Sequence, residues 1–167
     1  MQKAESLAQA RLAKDSKDKN SLFAMTLCNG LEADYAALIE KRNLASLRYT
    51  KESAKWADQT LAADPDNYDA HIAGGISKYI IGSMAAPVRW LVRLGGVSGD
   101  KQEGVKELKL VAQRGHYLAP FADILLAIAY VRDHDSKHAR ELLAALHDEF
   151  PANPLFPQEM ARLDAGR

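Results

Sequence analysis

The sequence Leu61-Ala62-Ala63-Asp64-Pro65-Asp66-Asn67-Tyr68-Asp69-Ala70 separates two segments of helical character and decides the fold of the chain. Pro65 has no backbone N–H and its ring clashes with the preceding turn, so the helix before it must end. Asp66 or Asn67 can cap the next helix, because a short polar side chain accepts hydrogen bonds from the free N–H groups of a first turn. The stretch therefore predicts a tight junction between two neighbouring antiparallel helices.

The same succession of helix and breaker extends along the whole chain. Apolar residues recur at helical spacing almost throughout, and runs of β-branched residues are few. Breakers such as Gly115 and Pro151 divide the sequence into short helices. The pattern predicts helices at 2–14, 19–40, 43–63, 68–82, 87–94, 101–114, 118–132, 136–149 and 155–164. Because the links between them are short, we expect one all-α domain over 1–167 built from antiparallel helical hairpins.

Composition indicates a packed chain and excludes several classes of function. Of 167 residues, 47% are hydrophobic, which is enough to bury a sizeable core. The 22 basic and 22 acidic residues cancel, so the basic excess of a general nucleic-acid-binding protein is missing. Cys28 is the single cysteine and has apolar neighbours, so we expect a small buried side chain rather than a disulfide or a metal ligand.

The sequence contains no sign of a membrane span or a secretory signal. No segment reaches the roughly 18 apolar residues that cross a bilayer. The start, Met1-Gln2-Lys3-Ala4-Glu5, lacks an apolar core and is typical of the middle of an amphipathic helix. We therefore expect a native N-terminal part to be missing, and since that part could carry a targeting signal, this chain does not indicate the compartment.

Two segments resemble the tetratricopeptide-repeat family. The junction that follows Leu61 has the form Leu-x-x-Asp-Pro-x-Asn found between two such repeats. In the last hairpin, Leu126-Ala127-x-x-Tyr130 stands where the family has Leu-Gly-x-x-Tyr. The family's spacing of Ala, Phe and Pro is then matched by Ala139, Leu143 and Pro151. The resemblance covers residues 50–155 well and 1–50 weakly.

A further stretch is similar to an insertion in a bacterial branch of the family with enlarged repeats. It comprises Val88–Gly96 followed by Ser98-Gly99-Asp100-Lys101. Leu12 and Leu61 occupy equivalent positions but are 49 residues apart, whereas the family repeat is about 34 residues. The resemblance implies a short superhelical array of hairpins, with an inserted helix within 83–99 and a capping helix over 155–164 that closes the exposed repeat end.

Motifs typical of catalysis are missing from the sequence. It has no P-loop, His-Glu-x-x-His, Gly-x-Ser-x-Gly or Cys-x-x-Cys. The Gly-rich stretch 95–99 lacks the lysine of a phosphate loop and is interpreted as a turn. His134 and His138, with Asp133 and Asp135 beside them, superficially suit a divalent metal. His134, however, should lie in the loop before the next helix, so we interpret the cluster as a solvated turn. We expect no enzymatic activity, no cofactor and no metal site.

The resemblance also implies a binding surface, because the first helix of each hairpin in the family lines a concave groove. The matching positions here are apolar, and the lysine and asparagine set with which chaperone-binding members hold a terminal carboxylate is missing. We therefore expect a non-enzymatic scaffold that binds an apolar or amphipathic segment of a protein partner. The expected contact residues are Phe23, Leu27, Ile72, Ile76, Tyr79, Ile80, Trp90, Phe121, Ile124, Ile128 and Val131.

The inserted helix around Trp90 has a second interpretation, in which it folds back and covers part of this groove with its apolar residues. We favour that partial coverage. Contact with an anionic membrane through Trp90 and its two neighbouring arginines is a third interpretation. We do not expect it, because the predicted helix has only eight residues and the net charge is zero. The alternative for the whole chain is a structural, self-associating unit in which Leu7, Leu12 and Leu22 pair with a second copy.

Overall fold

The computed structural model describes residues 1–96 and 98–166, apart from the side chain of Leu38. Over these residues the chain is all-α, with nine α-helices, one 3-10 turn (Tyr68–Ala70) and no strand. Each helix predicted from the sequence is confirmed to within a few residues. The helices are α1 (Gln2–Leu12), α2 (Lys19–Leu38), α3 (Asn43–Ala63), α4 (His71–Gly82), α5 (Ala86–Leu94), α6 (Lys101–Arg114), α7 (Ala119–Arg132), α8 (Ser136–Glu149) and α9 (Leu155–Asp164).

The helices pair along the chain as three hairpins. Helix α2 packs on α3, α4 on α6 and α7 on α8, while α1 lies against α2 and α9 against α8. Neighbouring hairpins meet through α3 with α4 and through α6 with α7. Each element thus contacts mainly its neighbours in sequence, as in a stacked array of helical hairpins. None of the described helices is both long enough and apolar enough to cross a membrane.

The core extends through all three hairpins, with Leu22 and Met25 buried in the first, and two of its apolar clusters lie from the second hairpin to the C-terminal end. The first cluster joins α4, α6 and α7 through Ile72, Leu108, Val111, Ala122 and Leu126. A second cluster joins α7, α8 and α9 through Ala127, Leu143, Leu146 and Phe156. A fully buried Leu or Phe side chain contributes about 2 kcal/mol to the free energy of unfolding. The buried Phe156 therefore stabilises the packing of α9 on the last hairpin.

The first hairpin is held by polar side chains as well as apolar ones. The Oγ1 atoms of Thr26 and Thr60 lie 3.3 Å apart between α2 and α3. Ser53 Oγ donates to the carbonyl of Thr26 at 2.9 Å. All three side chains are buried, and these bonds satisfy hydroxyls whose burial would otherwise be costly.

Helices α4 and α6 approach until their backbones touch. A Cβ on Gly104 of α6 would overlap the backbone nitrogen of Tyr79, and a Cβ on Gly82 would overlap that of Lys101. Gly75 also faces α6, where an added Cβ would lie 3.0 Å from Leu108 Cδ2. The glycine at 75 thus has a packing reason, which is the close crossing of α4 and α6.

The junction after Pro65 differs from the prediction in its cap. Neither Asp66 nor Asn67 caps α4 with its side chain: Asn67 makes no such bond, and Asp66 accepts only from the Tyr68 hydroxyl at 3.2 Å. The chain instead enters α4 through the 3-10 turn, where Tyr68 N and Ala70 N donate to backbone carbonyls of Asp66 and Asn67. The turn satisfies these donors itself, so the predicted side-chain cap is wrong.

Candidate partner-binding surface

Helix α7 is apolar on all sides, and this produces a candidate binding surface. Its only charged residues are Asp123 and Arg132. One side of the helix is buried in the core through Ala122, Leu126 and Ala129. The other side carries four apolar residues at spacings of three and four, which places them on one face. We call this row the α7 stripe, and its members are Phe121, Ile124, Ile128 and Val131.

Solvent reaches most of the α7 stripe. Phe121, Ile128 and Val131 are between 42 and 51% exposed. Ile124 is half-buried, because it packs partly against the cluster that joins α7, α8 and α9. All four residues were expected from the sequence to contact a partner, and the structure brings them together as one row.

Helix α4 divides its predicted contact residues between surface and core. Ile80 is exposed, and Ile76 is half-buried against the core. Ile72 and Tyr79 are only 5% and 6% exposed, so in this structure their side chains offer no surface to a partner. The Tyr79 hydroxyl donates to the carbonyl of Ala129 at 3.3 Å and ties α4 to α7. These two residues belong to the core because they face the neighbouring hairpin.

Helix α2 extends the exposed apolar surface beyond the predicted residues. Phe23 and Leu27 are half-buried, whereas Leu31 and Tyr35 are exposed. Sequence reasoning missed Leu31 and Tyr35. They follow Leu27 at steps of four, and this helical spacing was the signal that could have found them. Helix α2 contacts α4, and α4 contacts α7 through Tyr79, so the first helices of the three hairpins are neighbours in space.

The inserted helix α5 does not fold as expected. None of its nine residues, all of them described, is buried, and Trp90, Leu91 and Leu94 are between 61 and 67% exposed. The prediction that they cover part of the groove is wrong. The physical reason is the contact between Gly82 and Lys101, which brings the two ends of the insert together at the end of the α4–α6 hairpin. Helix α5 is therefore held beyond that end.

Two further groups of the sequence have structural roles. Cys28 is buried in α2, as predicted, and burial raises the pKa of its thiol, which leaves it a poor nucleophile. Asp123 lies half-buried on α7, where burial first and the nearby Glu149 carboxylate second raise the pKa of its carboxyl group. Neither group is part of the α7 stripe.

The histidine cluster occupies the turn between α7 and α8. His134 lies in that turn, as expected, with a φ of 61°. His138 Nδ1 lies 2.6 Å from Asp135 Oδ2, and the same Asp135 caps α8 by accepting from the backbone N–H of His138. Asp133 pairs instead with Lys101. Within residues 1–96 and 98–166, no three His, Cys, Asp or Glu side chains are grouped so that they could hold a metal ion. Val97 of the Gly-rich stretch lies outside the described residues.

Two open grooves lie away from the α7 stripe. One, of about 600 Å³, follows α6 beside His71 and Glu107, and the other, of about 560 Å³, runs between α3 and α4 beside Lys51 and Asp58. Each of the two grooves is lined by both acidic and basic side chains. Neither groove is lined by a residue of the α7 stripe.

The candidate surface therefore comprises exposed apolar residues on the first helix of each hairpin, and the α7 stripe is its part on the third hairpin. The predicted site residues contribute unequally, since Ile72 and Tyr79 are buried and Trp90 lies on the separate insert. Comparisons of the chain with protein-family models, with curated proteins and with solved structures found no match.

Proposed function

We infer that the chain is a non-enzymatic protein-interaction module of the tetratricopeptide type, whose first helices hold an apolar or amphipathic segment of a partner protein. The exposed α7 stripe is the observation that carries this proposal. A helix that is apolar on all sides is normally covered on all sides, yet α7 leaves Phe121, Ile128 and Val131 in contact with water. From residue 121 to 131 the stripe runs about 15 Å along the helix.

The chemistry of the stripe indicates what the partner segment would present. Its exposed members are aliphatic and aromatic, and Ile80 on α4 adds a further apolar side chain. A partner helix that carries apolar residues at spacings of three and four would match this row, as in other cases where an amphipathic helix occupies an apolar surface. Contiguous exposed apolar surface of this kind commonly marks an interaction site in proteins that are otherwise well packed.

The test is capture of a partner by the protein from its own host, repeated with a variant of the stripe. Ile128→Lys together with Val131→Lys places two charges on the exposed side of α7, and we expect loss of the captured partner. Leu155→Lys on α9 is the matched control, because Leu155 is similarly exposed but lies off the stripe. Circular dichroism checks that both variants keep their helices. Capture that survives the double substitution would exclude the stripe as the binding surface.

Self-association is the second candidate, and exposed Leu7 on α1 is the observation that favours it. The two other leucines expected to pair with a second copy are less accessible: Leu12 is half-buried and Leu22 is buried where α1 packs on α2. Light scattering over a dilution series distinguishes the candidates. Self-association would be favoured by a molar mass that falls from that of a dimer to that of a monomer on dilution. The Leu7→Lys variant should then have the molar mass of a monomer at every concentration.

A further inference from the structure

Helix α5 has one continuous apolar side that the chain itself leaves uncovered. Successive residues of a helix are rotated by about 100° around its axis, which places Trp90, Leu94 and Leu91 side by side in that order. Leu91 lies on the side of the helix opposite to Arg89 and Arg93. The Arg89 guanidinium donates to the carbonyl of Gly82 at 3.0 Å, so the Arg89 edge of the arginine side faces the end of α4, while Arg93 is exposed. The opposite side, with Leu91 at its centre, therefore points away from the protein.

The two segments next to this helix carry an excess of basic over acidic residues. Residues 41–51 contain four basic residues and no acidic one, with Glu40 and Glu52 on either side. Residues 70–99 contain no acidic residue and three basic ones, of which Lys78 pairs with Glu107 while Arg89 and Arg93 belong to α5. The remaining chain is correspondingly acidic, because the 22 basic and 22 acidic residues balance overall. Although the net charge of the chain is zero, its basic and acidic residues are therefore unevenly distributed along the sequence.

The two basic segments meet in space. A Cβ on Gly95 would lie 3.5 Å from Leu47 Cδ2, and one on Gly96 would lie 3.5 Å from Lys51 Nζ, so the end of α5 rests on the start of α3. Ile39 and Leu44, at the turn from α2 to α3, are both exposed. We call this end of the molecule, residues 39–51 with α5, the insert end. It combines protruding apolar side chains with an excess of basic ones, since its six basic residues are opposed by one acidic residue, Glu40, which pairs with Arg42 at 3.0 Å.

We propose that the insert end docks the protein on an anionic lipid bilayer, with α5 lying in the interface. Trp90, Leu91 and Leu94 would enter the boundary between headgroups and acyl chains. Arg93, Arg48 and Lys51 would reach lipid phosphates, since long basic side chains extend towards the headgroups while their stems stay apolar. The site is separate from the α7 stripe and would let the protein hold its partner at a membrane surface.

The structure removes both reasons that the sequence offered against membrane contact. The first was the short helix, but α5 does not act alone, because exposed Ile39 and Leu44 and the basic start of α3 belong to the same end. The second was the zero net charge, which does not describe the insert end. An anionic surface also fits better than a second copy of the chain, since two insert ends would bring their basic residues together and repel each other.

Co-sedimentation with lipid vesicles tests the proposal with the full chain. We expect binding to vesicles of 70% phosphatidylcholine and 30% phosphatidylglycerol, little binding to pure phosphatidylcholine, and weaker binding as salt rises. Leu91→Ser should lower the partition coefficient about tenfold, and Arg93→Ser or Lys51→Ser should each lower it about fivefold. Leu155→Ser is the matched control, because Leu155 and Leu91 are 58% and 61% exposed, and it should bind as the native chain does.

Tryptophan emission gives a second readout. In a Trp56→Phe background the only indole is Trp90, and its emission should shift to shorter wavelength with the anionic vesicles. Absence of binding to those vesicles at low salt would overturn the proposal. Binding that Leu91→Ser and Leu155→Ser reduce equally would overturn it as well. If Leu91→Ser instead abolished a dimer seen by sedimentation, the insert end would be an interface between copies. None of these outcomes depends on partner capture by the α7 stripe.

Discussion

Asp69 joins two hairpins at the scale of a single residue. Its carboxylate is buried and accepts the backbone N–H groups of His116, Tyr117 and Leu118 at 3.0 to 3.1 Å. These donors belong to the link between α6 and α7, where the chain turns into the third hairpin. Gly115 makes room for the carboxylate, because a Cβ there would lie 2.6 Å from Asp69 Oδ1. One acidic side chain thus fixes the start of α4 against the start of α7.

Asp69→Ala should lower the free energy of unfolding by about 3 kcal/mol, since it leaves three part-buried donors without the charged acceptor they have in the native chain. Urea unfolding followed by circular dichroism measures the change. Asp66→Ala is the control, because Asp66 is exposed and its carboxylate accepts only from the Tyr68 hydroxyl. We expect this variant to stay within about 0.5 kcal/mol of the native chain. Equal losses of stability in the two variants would contradict the role of Asp69 in joining the two hairpins.

At the scale of the element, pairs of helices differ in how closely their backbones approach. The space beside a glycine on each pair shows this difference. In α6, Gly104 lies against the backbone of Tyr79, so that the α4–α6 pair has no room for a side chain there. In α2, a Cβ on Gly30 would lie 3.5 Å from Ser53 Oγ, which is an ordinary contact. The two glycines look alike in the sequence, since each stands within a predicted helix.

Opposite effects on stability are expected when each of these glycines is replaced by alanine. Gly30→Ala should raise the free energy of unfolding by about 0.5 to 1 kcal/mol, because alanine is the better helix former. Gly104→Ala should lower it by about 2 kcal/mol, because the added methyl group forces α4 and α6 apart. Thermal and urea unfolding of the two variants measure both changes. A stabilising Gly104→Ala would show that the close crossing is not needed.

The whole molecule is an array of neighbour-to-neighbour contacts from which one segment projects. The insert leaves the α4–α6 hairpin and returns to it at the point where Gly82 meets Lys101. Since α5 buries none of its own residues, it contributes little to the core. Stability in such an array depends chiefly on each hairpin and on its contacts with adjacent hairpins, and the insert belongs to neither.

Replacing residues 84–97 with Gly-Ser-Gly should therefore leave the free energy of unfolding within about 1 kcal/mol of that of the native chain. A shorter loop is slightly easier to close, and the lost contacts are few. The same variant should no longer bind the anionic vesicles, yet should still capture the partner held by the α7 stripe. Unfolding of the shortened chain under native conditions would mean that α5 supports the fold.

The positions of the helices were determined by the sequence alone. Helix starts and stops depend on local groups, such as the proline at 65 and the polar residues before α6 and α8, and these act over a few residues. Hairpin pairing followed from the short links. The apolar character of the α7 stripe was also visible, because spacing on one helix is a local property.

Only the tertiary structure decided which apolar residues are surface and which are core. In α4 and α7 apolar residues lie on more than one side, so periodicity does not tell which side a neighbouring helix will cover. Ile72 and Tyr79 became core, while Ile128 stayed exposed, because of how adjacent hairpins stack. The direction of α5 likewise depends on the meeting of Gly82 and Lys101, a contact between residues far apart in sequence that no local pattern encodes.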